Sequence, residues 1–255
     1  MPTPFTHLAT AGEMLAHPDL PPAVKGALAA QLPAFLLGNT APDVQTLSGD
    51  PREATHFFPV PLGTAPPGPT KMVARYPALA RPANLPPHQS AFLAGYLAHL
   101  VFDQLWVADI FDPVFGEEQT WASFRERLYL HNALRAVWDA QDLARLPPET
   151  ASRLKSAEPN AWLPFVDDHH LYAWRDLIAD QLGPGAGRTV EVFAQRMRVD
   201  AAAFAALLGS PAELQRRVFA HVPLEALDQY RAKALARSVQ VIHAYWQAQP
   251  LPAQL

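Results

Sequence analysis

The sequence predicts an all-α protein, a single multi-helix domain built around a buried central helix. Apolar residues recur at helical spacing through most of the chain, and no segment alternates with period two for long enough to make a strand. The chain is 255 residues long, 49% apolar and 17% charged, which is enough to bury one sizeable core and too apolar for a disordered chain. Proline is the outlier, with 27 residues, about twice the usual ~5%.

Thr3 followed by Pro4 reads as an N-cap with proline at the first helical position, opening a helix to about Ala16, where Pro18 stops it. Pro21 or Pro22 opens a second helix, from Ala23 to about Leu32. The segment Pro33 to Gly38 reads as a short apolar turn ending on a C-cap glycine. From Asn39 almost to residue 87 periodicity is lost. Nine prolines between Phe57 and Pro87 argue for a long Pro-rich loop, and a loop of that length is commonly functional or disordered. Gln89 to Ala108 is apolar on most of its faces and reads as the buried central helix. Further helices are predicted at 118–142, 167–182, 188–198, 200–208, 211–220 and 223–248. They are separated by Pro147-Pro148, by Gly183 to Gly187, and by Pro211 and Pro223.

Composition narrows the chemistry. The absence of cysteine rules out disulfides, thiolate metal sites and a cysteine nucleophile, so any metal is held by imidazole and carboxylate. A formal charge of −4 argues against a general nucleic-acid binder. Met1 to Asp19 has no lysine or arginine and no continuous apolar core, so no secretory signal is expected and a cytoplasmic location is the default. No transmembrane segment is expected. The Lys-Ser/Thr ending of a phosphate loop and the Gly-x-Ser-x-Gly nucleophile motif are both missing.

Five residues stand out: His7, Asp43, His56, His99 and Asp103. His99 and Asp103 are four apart and share a face of the central helix, with Gly95 one turn earlier on that face. Such a pair sets two metal ligands at a fixed separation on a rigid rod. Each residue also has a plainer reading. The pair can be a salt bridge, Asp43 an N-cap or Asx-turn, His56 a core-edge residue, and Gly95 a point of close helix packing. Asp167-Asp-His-His170 cannot converge on one ion from adjacent helical positions, so Asp167 or Asp168 reads as an N-cap.

As an ordered set the motifs resemble a family. The runs Phe35-Leu-Leu-Gly-Asn-Thr-Ala-Pro-Asp43, His56-Phe57 and Gly95-Tyr-Leu-Ala-His99-Leu-Val-Phe-Asp103, preceded by Pro4-Phe-Thr-His7, look like the zinc-dependent phospholipase C family. That family includes, more distantly, secreted single-strand-specific nucleases. The resemblance covers roughly residues 4–106, with 107–255 taken as the helical remainder of the same domain. It implies an all-α phosphodiester hydrolase in which Asp43, His56, His99 and Asp103 hold one zinc. Asp103 bridges to a second zinc that His7 also binds. Zinc lowers the pKa of bound water to ~7, and Asp43 is the candidate catalytic residue taking the proton. The implied substrate is a phosphodiester or phospholipid. The alternative is a catalytically altered metal-binding helical protein that binds a phosphorylated ligand or a protein partner.

The chain departs from the pattern in two places. Secreted members use the processed N-terminus as a ligand of the second metal. Here removal of Met1 would place Pro2 five residues before His7. The third zinc of the family needs a histidine six residues after the bridging aspartate, where this chain has Asp109. The histidine that follows, His131, has Arg135 rather than a carboxylate four residues on. Two Zn²⁺ are therefore expected, the third site is altered or absent, and Pro2, Asp109 and His131 remain as secondary candidates. Arg52 to His88 carries Arg52, Lys71, Arg75 and Arg81 against Glu53. This local excess either steers phosphate toward the metal rim or simply keeps the loop solvated.

Overall fold

The computed structural model describes residues 1–183 and 189–255. Every regular element among them is helical, and the buried apolar side chains form one contiguous cluster. The predicted break at Gly183 to Gly187 lies outside the described residues, apart from Gly183.

Helix α1 spans Pro4–Ala16 with Thr3 at its N-cap, as expected, and α2 spans Pro22–Ala30. The turn expected at 33–38 is a helix, α3, Leu32–Gly38. Gly38 is its last residue and not a left-handed cap. A Cβ there would lie 1.9 Å from the Phe92 carbonyl oxygen, so glycine is required by a backbone contact. The aperiodic stretch 39–87 is also more ordered than its composition suggests. It holds a 3₁₀ turn at Ala41–Val44, then α4 (Gln45–Ser48), α5 (Arg52–His56) and α6 (Gly68–Arg75), with two further 3₁₀ turns. Prolines stand at the start of several of these pieces, where a missing N–H costs nothing and a fixed φ favours the first turn.

The central helix α7 runs Pro87–Trp106, and its backbone continues in π-helical winding to Phe115. From Ser90 to Trp106 every side chain is buried. The combined segment is long and apolar enough to cross a membrane, but 94% of its most apolar window lies inside the protein, the burial of a core helix. Helix α8 is Phe124–Leu143, starting later than predicted, because the Ser123 hydroxyl accepts the Glu126 N–H at 3.2 Å. That Ser-x-x-Glu pattern is the sequence signal for the true start. Helix α9, Thr150–Lys155, was not expected: six residues are too few for a periodic signature. Helices α10 (Asp168–Gln181), α11 (Thr189–Met197), α12 (Ala201–Leu208), α13 (Pro211–Leu214, followed by a π-helical turn) and α14 (Leu224–Trp246) fall near their predicted places. Asp167 occupies the N-cap position of α10, while the Asp168 carboxylate accepts the Ala161 N–H at 2.7 Å.

Two contacts of α7 position the functional residues. On one side α3 lies directly against it: a Cβ on Gly95 would meet the Phe35 carbonyl oxygen at 2.4 Å. On the other side α14 is tied to it by Tyr230, whose hydroxyl donates to the Phe102 carbonyl at 2.8 Å. Helices α1, α8 and α14 are held together by Arg231, which bonds Glu13 and the buried Asp142 at 3.0 to 3.1 Å.

Candidate metal centre

Four separate segments deliver polar side chains to one point beside α7. His99 and Asp103 come from α7, His56 from the end of α5, Asp43 from the 3₁₀ turn and His7 from α1. One ligand atom from each of Asp43, His56, His99 and Asp103 lies within 4.8 Å of the other three. His7, His56 and His99 are fully buried, Asp103 is 1% exposed, and Asp43 is the open member at 21%.

The ring orientations follow from backbone contacts. Because Gly38 and Gly95 let α3 approach α7, the Asn39 carbonyl reaches His99 and accepts its Nδ1–H at 2.8 Å. That bond sets the tautomer and leaves the Nε2 lone pair pointing into the cluster. His56 is treated alike: Nδ1 lies 3.3 Å from the Arg52 carbonyl and 3.0 Å from the Thr55 hydroxyl, leaving Nε2 inward. Phe57, directly after it, turns the chain in the left-handed region at φ 63°. The two Nε2 atoms then face each other at 3.4 Å. Asp103 Oδ2 stands 3.2 Å from one and 3.6 Å from the other, and Asp43 Oδ1 is 3.6 Å from His56 Nε2. Two lone pairs and two carboxylate oxygens converge in a buried volume. Acceptors crowded in this way need a cation or protons between them.

Asp103 divides its oxygens. Oδ2 faces His56 and His99, whereas Oδ1 faces His7 Nε2 at 3.3 Å. The His7 ring stacks on His99 with centroids 3.8 Å apart. Neither nitrogen of His7 nor Oδ1 of Asp103 makes a well-formed hydrogen bond, although all three atoms are buried. Such orphaned polar atoms, the carboxylate oxygen and the lone-pair nitrogen of the imidazole among them, fit a metal.

The electrostatics agree with the geometry. For His99, burial disfavours the proton but attraction to Asp103 outweighs it, and the pKa is raised above the usual imidazole value. Burial and the neighbouring His99 charge lower that of His7 to about 4. Burial works against ionisation of Asp43, but the hydrogen bond with His56 and the charge on His99 overcome it and bring its pKa to about 2. Asp103 is likewise held well below the ordinary carboxylate range, burial being outweighed by His99, His56 and His7.

The remaining candidates are placed elsewhere. Asp109 lies on the π-helical continuation of α7, and its carboxylate binds Lys233 Nζ at 2.9 and 3.1 Å. The His131 ring is packed among Trp106, Phe111 and Phe115, with Nε2 accepting the Trp106 indole N–H at 2.9 Å. Burial lowers its pKa well below the usual value, which makes it a neutral core histidine. Neither residue joins the four-donor group. Pro2 is buried between Met1 and Thr3, which line a cavity of about 180 Å³ that Asp43 and Arg52 also line. Phe5, Trp174, Leu177, Ile178 and Phe193 supply its apolar wall.

Of the four basic residues between 52 and 88, only Arg52 reaches the centre. Its Nη2 donates to Asp103 Oδ2 at 2.9 Å, while Arg75 and Arg81 are exposed. The local charge count pointed to this segment. It did not single out Arg52, because contact with Asp103 spans 51 positions of sequence. No family model, no curated protein and no solved structure matches this chain.

Proposed function

We propose that the centre holds zinc and that the protein is a phosphodiester hydrolase of the kind its resemblance to the zinc-dependent phospholipase C family implies. The observation that carries this reading is the convergence of Asp43, His56, His99 and Asp103, from three separate segments, within 4.8 Å. These four would hold one ion, and His7 with Asp103 Oδ1 would hold the second. Zinc, when bound, supplies a Lewis acid and lowers the pKa of its water to ~7.

The chain's own residues have distinct parts. His56 and His99 are locked by their Nδ1 contacts, so their Nε2 atoms present fixed lone pairs and little reorganisation is needed. Asp43 is the donor that lines the cavity and remains partly open. Its Oδ1 stands 3.6 Å from His56 Nε2 and, with zinc bound, would accept a hydrogen bond from the water and take up its proton as the water attacks. The apolar wall of Phe5, Leu177, Ile178 and Phe193 suits a phosphodiester with an apolar portion, such as a phospholipid. The overall charge of −4 weighs against nucleic acid.

The second reading is a metal-stabilised helical protein without turnover. It is favoured by one observation: Asp109 and His131, the positions nearest to a third site, are committed to Lys233 and Trp106. Zinc-loaded protein assayed on a generic diester and on phospholipid vesicles separates the two. Turnover abolished by chelator and by His99→Ala supports the hydrolase. Bound zinc without turnover on either substrate favours the second reading.

A further inference from the structure

The cavity beside the centre has an imbalance of hydrogen-bonding groups that the zinc donors do not explain. Arg52, the first residue of α5, lines it together with Asp43, Gln45 and Thr46. Its guanidinium is fixed from two sides. Nη2 donates to Asp103 Oδ2 at 2.9 Å, and the Phe58 ring lies beneath it, 4.6 Å from the guanidinium carbon to the centroid. Nη1 is buried and has no partner. Across the chain Trp174, only 3% exposed, lines the same cavity, and its indole N–H is also buried without a partner. Unsatisfied buried donors are costly, more so when charged, and a ligand that completes them relieves that cost. Two such donors, one of them cationic, belong to residues that line one cavity and call for an occupant rich in acceptor oxygens.

We propose that Arg52 is the anion-binding residue of this centre, gripping a phosphate oxygen through Nη1 while Asp103 and Phe58 hold its guanidinium in place, with the Trp174 indole N–H as a second donor. This deepens the reading of the site as a phosphodiester hydrolase and rests on it. A planar guanidinium locked on one edge by a carboxylate keeps its other edge pre-oriented, so little side-chain entropy is lost when an oxyanion arrives. Lysine at this position would keep the charge and lose the second edge.

The test titrates inorganic phosphate into zinc-loaded protein by calorimetry and measures zinc per chain by elemental analysis, for wild type, Arg52→Gln, Arg52→Lys and Trp174→Phe. Arg52→Gln is expected to keep its zinc and bind phosphate about tenfold more weakly or worse, the scale of one charged hydrogen bond. Arg52→Lys should fall between it and wild type. Trp174→Phe, which changes no residue of the four-donor group, should weaken binding about threefold. Equal phosphate affinity in wild type and Arg52→Gln, with zinc retained, overturns this assignment alone. Loss of zinc in both Arg52 variants overturns it too, since Arg52 then serves only to hold Asp103. Wild-type protein that takes up no zinc overturns the reading beneath it.

Discussion

His99 shows how much of the centre is decided by single contacts. Its Nδ1 is committed to the Asn39 carbonyl, and the nitrogen left over meets His56 and Asp103. Without metal, this crowding is relieved by protons, which gives the metal-free protein a readable pH profile. The pKa of His7 is lowered to about 4, so the stability it contributes is fully present above the unfolded value near 6.5 and is lost as pH falls toward 4. The full loss is roughly 3 kcal/mol. The pKa of His99 is raised, so its contribution is present below about 6.5 and disappears as pH rises through the folded value. The contribution of Asp43 survives until pH falls below the ordinary carboxylate value and is lost toward about 2. Urea denaturation of chelator-treated protein is therefore expected to show stability rising from pH 4 to about 6.5. A profile that is flat from pH 4 to 6.5 would count against neutral, buried His7 and His131 alike.

At the scale of elements, the junction of α3 and α7 is the structural support of the site. Gly38 and Gly95 allow two backbones to touch, and only that approach brings the Asn39 carbonyl to His99. Gly95→Ala places a Cβ 2.4 Å from a backbone oxygen, so the helices must separate. The expected cost is about 1–3 kcal/mol, together with weaker zinc binding, read by thermal melts and metal titration. Gly12→Ala in α1 is the control: nothing lies within 4 Å of its Cβ, and helix propensity should raise stability by up to about 1 kcal/mol. The sequence made the rod legible, since His99, Asp103 and Gly95 share one helical face at fixed spacing. It did not show whether Gly95 admits a ligand or a backbone, because that depends on α3, more than fifty residues earlier. The short helices α4, α5 and α6 were hidden for a related reason. Pieces of four to eight residues carry too few turns for periodicity, and their prolines read as breakers although several stand at helix starts.

Across the whole molecule, the front of the chain supplies the chemistry and the rear encloses it. Helix α10 contributes Trp174, Leu177 and Ile178 to the cavity, and α14 locks α1 and α8 through Arg231. Arg231→Met removes both hydrogen bonds that Arg231 gives the buried Asp142 carboxylate and leaves it only Arg145 at 4.0 Å, so a loss of about 3 kcal/mol is expected in denaturant titration. Zinc stoichiometry of the folded fraction should be unchanged, since the change lies outside the four donors. These pairings join residues 89 to 218 positions apart, so the sequence places Arg231 only within the helix predicted at 223–248. The five proposed ligands were legible because their order and spacing form a motif. Arg52 and Trp174 were not, because neither belongs to a periodic or spaced pattern and each is defined by the partner it lacks.

The most direct measurement is zinc per chain, by elemental analysis, in protein purified without chelator, compared with His99→Ala. At least one zinc per wild-type chain, falling sharply in His99→Ala, is the expected result. Wild-type protein free of metal after growth in zinc-supplemented medium, or His99→Ala carrying as much zinc as wild type, would contradict a metal centre at Asp43, His56, His99 and Asp103.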